Sequence, residues 1–261
     1  MSLPYTYLSG ILATSQTAQF ALEDSLVESG YEIRYRKLGE FHEDASRVTS
    51  ILRIDALDTY WKSLSHNTRN QIRKSDTESF EYCPHSAVDD FYEVMAHNMR
   101  RLGTPVHSRR FYENLKERVP GARIFSVRRE GKVVAAMCGV VANDTVEHRE
   151  PTFYVLWACA QQEYSRLYVN YFLYWHMLKA MTDEGVRLFD LGYSVPGSGV
   201  FQFKQKLRPT NFGIYDYRVG SSQPLPSRRD SILAKWAACA WSALPYSVTL
   251  RLGPGLRKYL V

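Results

Sequence analysis

Cysteine is scarce and scattered: Cys83, Cys138, Cys159 and Cys239 are the four in 261 residues, and no two form a CxxC pair. Three lie inside apolar runs, so all four read as reduced core thiols of a cytosolic protein, without a redox or zinc framework. The seven histidines form no HxxxH or HxH pattern, and the sequence therefore predicts no metal site. No uninterrupted apolar stretch reaches the roughly eighteen residues that a membrane span requires. The opening MSLPYTYLSG lacks the basic start and long apolar core of a secretory signal, so export is not expected and the cytoplasm is the expected location. Charge of either sign is not strongly in excess: 33 basic against 27 acidic residues leave +6. That bias favours an anionic partner such as a phosphate-bearing donor, RNA or a membrane surface, without choosing among them.

What is present centres on Phe189–Lys204, FDLGYSVPGSGVFQFK. Val186–Leu191 has the apolar run of a short buried strand, and Gly192, Pro196, Gly197 and Gly199 then interrupt regular structure until Val200. The chain turns sharply at the carboxyl edge of a sheet, where open α/β sheets bind ligands. Small loop residues, among them Ser194 and Gly199, let backbone amides approach a ligand. Lys204 leaves the turn beside Phe201 and Phe203, a setting in which an ammonium holds a phosphate or steadies a developing oxyanion. The plainer alternative is a turn followed by a solvated lysine. Asp190, at the strand end, either orients Lys204 or an acceptor amine, or caps the turn.

Hydrophobic residues at 45% and charged residues at 23% suit a globular protein with a sizeable core. Residues 3–12 read as a strand, 15–30 as a helix and Tyr31–Leu38 as an alternating strand, with another at Val48–Ile54. Asp58–Lys74 reads as one helix whose second half presents Arg69, Arg73 and Lys74, either a solvated basic face or an anion clamp. A strand at Ser79–Cys83 and helices at Val88–Arg101 and Arg109–Val119 follow. Strands at Ala122–Arg129, Lys132–Val141 and Thr152–Cys159 lead to a helix at Leu167–Glu184, the strand at Val186–Leu191, a short helix and a last strand at Gly213–Val219. Three strands, a crossover helix and a further strand match the order of acyl-transferring folds of the GNAT type, where two strands splay and a donor carbonyl can meet exposed backbone groups.

Three segments resemble the FemAB family, in particular the FemAB-related proteins found with exosortase and exopolysaccharide systems. They are RNQIRK at Arg69–Lys74, the run FYEVMAHNMRRLGTPVHSRRFYENL up to Leu115, and the FDLG-to-FK stretch with its preceding helix, Asn170–Ala180. The resemblance implies an α/β (α+β) GNAT-like acyltransferase fold, a central mixed, mostly antiparallel sheet flanked by helices. A truncated second GNAT-like unit would occupy residues 1–75, the acyltransferase domain 76–220 and a helical tail 221–261. It implies amide formation on an amine of a cell-wall precursor or a polysaccharide-linked acceptor. An acyl-CoA or an aminoacyl-tRNA would serve as co-substrate, with no tightly bound cofactor and no metal. Lys204 would steady the transferring carbonyl with Phe203 beside it, and Arg69 and Arg73 would contact anions. Two departures bear on this. Tyr193 stands where the relatives usually carry an arginine, and Gln161–Asn170, QQEYSRLYVN, lacks the glycines of a pyrophosphate loop. The rival expectation is a catalytically silent scaffold of a polysaccharide-assembly system.

His107, after the TPV turn, and His148, with Glu147 and Glu150, are proton-acceptor candidates because histidine titrates near neutrality. Tyr168, Tyr171, Phe172, Tyr174 and Trp175 crowd one helix, as core or as a stacking surface. Ile232–Leu244, with Trp236 and Trp241, reads as a packing helix or as an interfacial one in peripheral membrane contact.

Overall fold

The computed structural model describes residues 34–42, 45–142, 150–218 and 232–259. The strand expected at 3–12, the helix at 15–30, and Glu147 and His148 lie outside them. In chain order the elements are β1 (Arg34–Glu40), β2 (Val48–Arg53), α1 (Leu57–Ser63), α2 (His66–Asp76), β3 (Glu81–Cys83), α3 (Val88–Arg101) and α4 (Arg109–Arg118). Then come β4 (Ala122–Arg129), β5 (Lys132–Ala142), β6 (Thr152–Ala160), a 3-10 turn at Gln162–Leu167, α5 (Val169–Asp183) and β7 (Leu188–Ser194). The last are α6 (Gly199–Gln205), β8 (Thr210–Arg218), α7 (Ile232–Ala243) and α8 (Tyr246–Arg257).

The chain divides into two units, neither of them one contiguous run. The smaller takes Met1–Ser50, Tyr193–Gln205 and Thr210–Arg229, and the larger takes Ile51–Gly192, Lys206–Pro209 and Asp230–Val261. In the smaller, β1 pairs antiparallel with β8 from Arg34–Arg218 to Glu40–Phe212. Arg47 donates to Asp216 at 2.8 Å, and Ile214 N–H donates to the Arg47 carbonyl at 2.9 Å. In the larger, strand neighbours run β7-β6-β5-β4-β3. The pairs β3–β4, β4–β5 and β5–β6 are antiparallel, and β6–β7 is parallel. Parallel neighbours require a crossover, which α5 supplies. The mixed, mostly antiparallel GNAT-like sheet expected from the sequence is present.

Local chemistry explains most boundaries. The single helix expected over Asp58–Lys74 is two, because Leu64 is extended and Ser65 starts a new helix by accepting the Thr68 N–H at 3.1 Å. In α3, Asp89 and Asp90 sit in the first turn and Arg100 and Arg101 in the last, matching the helix dipole at both ends. Its apolar stripe of Phe91, Val94 and Met95 packs with Val106, Tyr112, Ile124 and Ala136 into the main core. Helix α5 buries Val169, Tyr171, Phe172, Leu173, Tyr174, Met177, Leu178 and Met181, so Tyr171, Phe172 and Tyr174 of its aromatic crowd are core, while Tyr168 and Trp175 are half-buried. Cys138 and Cys159 are core thiols, pushed by burial up to about 12. Cys239 is exposed, against expectation. It sits on α7, whose buried side is held by Trp241 while the opposite side is open.

A bulge bends the centre of the sheet. Cys138 faces Trp157 but Gly139 faces Val155, leaving Leu156 as the extra residue of β6. A β-carbon at Gly139 would lie 2.2 Å from Phe153 Cζ and 2.6 Å from the Tyr154 carbonyl oxygen. Gly139→Ala is expected to lower unfolding stability by about 1–3 kcal/mol in urea titrations. Gly255→Ala, whose β-carbon would meet nothing within 4 Å, should not lower it.

His107 closes one end of the core instead of facing solvent. Its ring is 5% exposed, stacks on Phe111 at 4.4 Å between centroids, and its Nε2 accepts the Arg257 Nε–H at 3.1 Å. Burial first, and the Arg257 charge second, push its pKa from 6.5 down to about 4. The unfolded chain takes up this proton near pH 6.5 and the folded chain only near pH 4, so stability falls as pH drops through that window and levels off below it. Between neutral pH and about pH 4.5, urea titrations should show the native chain losing roughly 2 kcal/mol more than His107→Gln. Equal losses would separate this histidine from the acid response.

Candidate active site

In the larger unit the parallel ladder between β6 and β7 is short. It joins Thr152 to Leu188, Phe153 to Phe189 and Tyr154 to Asp190, and ends there although β6 runs on to Ala160. At that point the Asp190 carboxylate, 2% exposed, accepts the Gly192 N–H at 2.8 Å. Gly192 takes a left-handed φ of +75°, and a β-carbon on it would lie 2.8 Å from the Val155 carbonyl oxygen. A carboxylate bonded two residues ahead is an Asx turn, and only glycine satisfies both the dihedral and the clearance. The turn-capping reading of Asp190 has this hydrogen bond behind it.

The smaller unit carries the remainder of the FDLG-to-FK stretch, Tyr193–Gln205. The apolar run starting at Val186 yields a strand two residues later, at Leu188, which then continues through Tyr193 and Ser194. The side chains of Tyr193 and Val195 are 56% and 54% exposed, while Ser194 between them is buried. The Ser194 hydroxyl has no hydrogen-bond partner among the described residues. After the turn, the Ser198 hydroxyl accepts the Phe201 N–H at 3.2 Å and starts α6, with Gly199 exposed at its first position. Lys204, on the last turn, is 2% exposed, and its Nζ donates to the Tyr193 carbonyl at 3.0 Å. This amine is not a solvated one. It is folded back against the end of β7. Phe203 beside it is half-buried, and Phe201 meets Phe41 at 6.0 Å. Helix α6 is anchored to β8 by a reciprocal amide pair. Gln205 donates to Asn211 at 3.0 Å and Asn211 donates back at 2.7 Å.

The structure thus gathers Lys204, Phe203, Tyr193, Ser194 and Gly199 on one segment of the smaller unit. The remaining candidates lie on the larger one. Arg69, on α2, donates to the Lys62 carbonyl at 3.0 Å and ties the two halves of the broken helix together. The Arg73 guanidinium lies 5.5 Å over the Trp61 ring, and Arg73 and Lys74 are both exposed. His107 belongs to the core described above, with Arg257. Glu150 accepts two hydrogen bonds from Arg53, at 2.7 and 3.2 Å. Sequence reasoning passed over Val195 and Val200, which are 54% and 57% exposed around the turn. The available signal was the apolar alternation Tyr193–Val195 carried past the strand into a turn.

Between β6 and α5, where a glycine-rich loop would cradle a pyrophosphate, the chain makes the 3-10 turn Gln162–Leu167. Tyr168 then takes the left-handed conformation, with φ 60°, just before α5. Among the described residues no cluster of three histidine, cysteine, aspartate or glutamate side chains could hold a metal ion.

Comparison with known proteins agrees with this geometry. The family model described as an acetyltransferase (GNAT) domain matches residues 62–205, more than half of the chain. Among solved structures, FemX superposes with a TM-score of 0.60 at 13% identity, over 83% of this chain and 82% of its own. L-PGS from Bacillus licheniformis superposes with a TM-score of 0.54 at 13% identity, over 85% of this chain and 76% of its own. At that identity the likeness is one of fold. A search of the curated proteins finds no match. By the extent of the family match and the sheet that carries it, the chain belongs to the acetyltransferase (GNAT) domain family.

Proposed function

We propose that this GNAT-type acyltransferase forms an amide by moving an activated acyl or aminoacyl group onto an amine, with the transferring carbonyl bound at the carboxyl end of β7. The observation that carries the proposal is Lys204, a cation withdrawn from solvent and aimed at that strand end through the Tyr193 carbonyl. In the reaction the acceptor nitrogen attacks the carbonyl carbon, and an oxyanion forms. Collapse breaks the bond to the donor's sulfur or oxygen, and the nitrogen gives up a proton. An ammonium held where water is excluded stabilises such an oxyanion far more than it would in water. Phe203 limits water beside it, and the exposed faces of Tyr193, Val195 and Val200 receive the apolar part of a substrate.

The donor reading is an aminoacyl-tRNA ester in preference to an acyl-CoA. The 3-10 turn at Gln162–Leu167, without glycine, is what favours it, because close backbone approach to a pyrophosphate depends on glycine. Arg73 and Lys74, exposed at the end of α2, supply contacts for an anionic backbone or a substrate phosphate. The acceptor is an amine on a cell-wall precursor or a polysaccharide-linked substrate, in keeping with the FemAB resemblance, in the cytoplasm.

The test is amide formation by the native chain and by Lys204→Met, given cell-wall precursor and each donor class in turn. Loss of one oxyanion donor costs about 10²–10³ in turnover, so Lys204→Met should fall by that factor while melting close to the native temperature, with Lys204→Arg intermediate. Equal product from native and Lys204→Met would remove Lys204 from the reaction. No product from the native chain with any donor would leave a binding scaffold as the account of the fold.

A further inference from the structure

The C-terminal helix pair has a face that the transfer reaction does not use. We propose that α7 and α8 form a platform that docks the larger unit onto the surface of an anionic phospholipid bilayer. The first observation is charge. Acidic residues number 27 in the chain, yet residues 231–261 contain none, while they hold Lys235, Arg251, Arg257 and Lys258. Arg257 is committed to His107. The other three cations are exposed.

The second observation is what lies beside those cations. On α8, Arg251, Leu252 and Leu256 are exposed, and so are Lys258 and Tyr259 just past its end, while Thr249 and Gly253 are buried. Leu252 is 49% exposed, Leu256 46% and Tyr259 86%, and on α7 Trp236 is 71% exposed. Leucines, a tryptophan and a tyrosine interleaved with cations, without one carboxylate, match the interfacial zone of a bilayer. Amphipathic aromatic rings settle there, and anionic headgroups attract lysine and arginine. A protein partner of ordinary surface composition would not require the absence of acid.

The third observation is anchorage. Arg100 Nε donates to the Leu244 carbonyl at 2.6 Å, His97 stacks on Tyr246 at 3.8 Å between ring centroids, and Arg257 holds His107. The helices therefore present this face from a fixed seat on the larger unit. No helix among the described residues is long and apolar enough to cross a membrane, so the mode is surface attachment.

The experiment is co-sedimentation of the full chain with vesicles of phosphatidylcholine alone, and of phosphatidylcholine with about a third phosphatidylglycerol, at low and high salt. The native chain should pellet with the anionic vesicles, remain in solution with the neutral ones, and be released by salt. Each surface cation contributes roughly a fivefold factor in partitioning. Lys235→Gln, Arg251→Gln and Lys258→Gln together should therefore weaken binding about a hundredfold. Trp236→Ser with Leu256→Ser should weaken binding while leaving the salt dependence in place. Four results would each overturn the proposal: equal binding to both vesicles, no binding to either, native-like binding by the triple variant, or a native dimer that Trp236→Ser dissolves, which would make the occupant a second copy of the chain. The altered side chains are exposed, and circular dichroism melts matching the native chain confirm folding.

Discussion

A parallel ladder of three rungs, from Thr152–Leu188 to Tyr154–Asp190, is the constraint on which the proposed chemistry depends. While two strands stay paired, their backbone groups are occupied with each other. Once the ladder stops, the groups beyond it become a place where an extended acyl chain or a carbonyl can bind. The stop is enforced locally. The Asp190 carboxylate takes the Gly192 N–H, and Gly192 passes so close to the Val155 carbonyl that any side chain there would collide. A glycine and a carboxylate two residues apart thus mark where the pairing of β7 with β6 ends.

The scaffold keeps that ending in place. The bulge at Leu156 bends β6 just past the last rung, and Gly139 permits the close packing of Phe153 that the bend requires. Helix α5 buries one apolar side chain after another, so the crossover that makes β7 parallel to β6 is seated rather than hinged. In the smaller unit, the reciprocal amide pair of Gln205 and Asn211 fixes the end of α6, and with it Lys204 one residue earlier. A buried ammonium loses hydration that only well-placed oxygens replace, and the Tyr193 carbonyl is one of them.

Much of this was legible in the residues. The strands β4, β5 and β6 were legible as three consecutive strand-like runs, and the sharp turn after Leu191 followed from its glycines and proline. What failed did so for physical reasons that a local window does not contain. Val186 is 2% exposed and apolar, but its N–H donates to the Met181 carbonyl at the end of the crossover helix. Its apolarity reports burial, not membership of the ladder. Leu64 and Ser65 break a helix that the spacing of Trp61 and Ile72 carries across them, since a cap competes with helical continuation on nearly equal terms. His107 looked like a loop histidine because the residue that covers it, Arg257, comes 150 positions later. The burial of Lys204 has the same origin. A lysine flanked by Phe203 and Gln205 carries no mark that tells a solvated amine from one folded onto a strand end.

The central claim is that a transferring carbonyl sits at the end of β7 within reach of Lys204. A crystal structure of the chain with a phosphonate analogue of the tetrahedral intermediate, linking an aminoacyl group to an amine, measures this directly. The account predicts a phosphonate oxygen about 3 Å from Lys204 Nζ, with the amino acid side chain against Tyr193 or Val195. An analogue bound elsewhere, with the Lys204 amine still turned only to the protein, would contradict it.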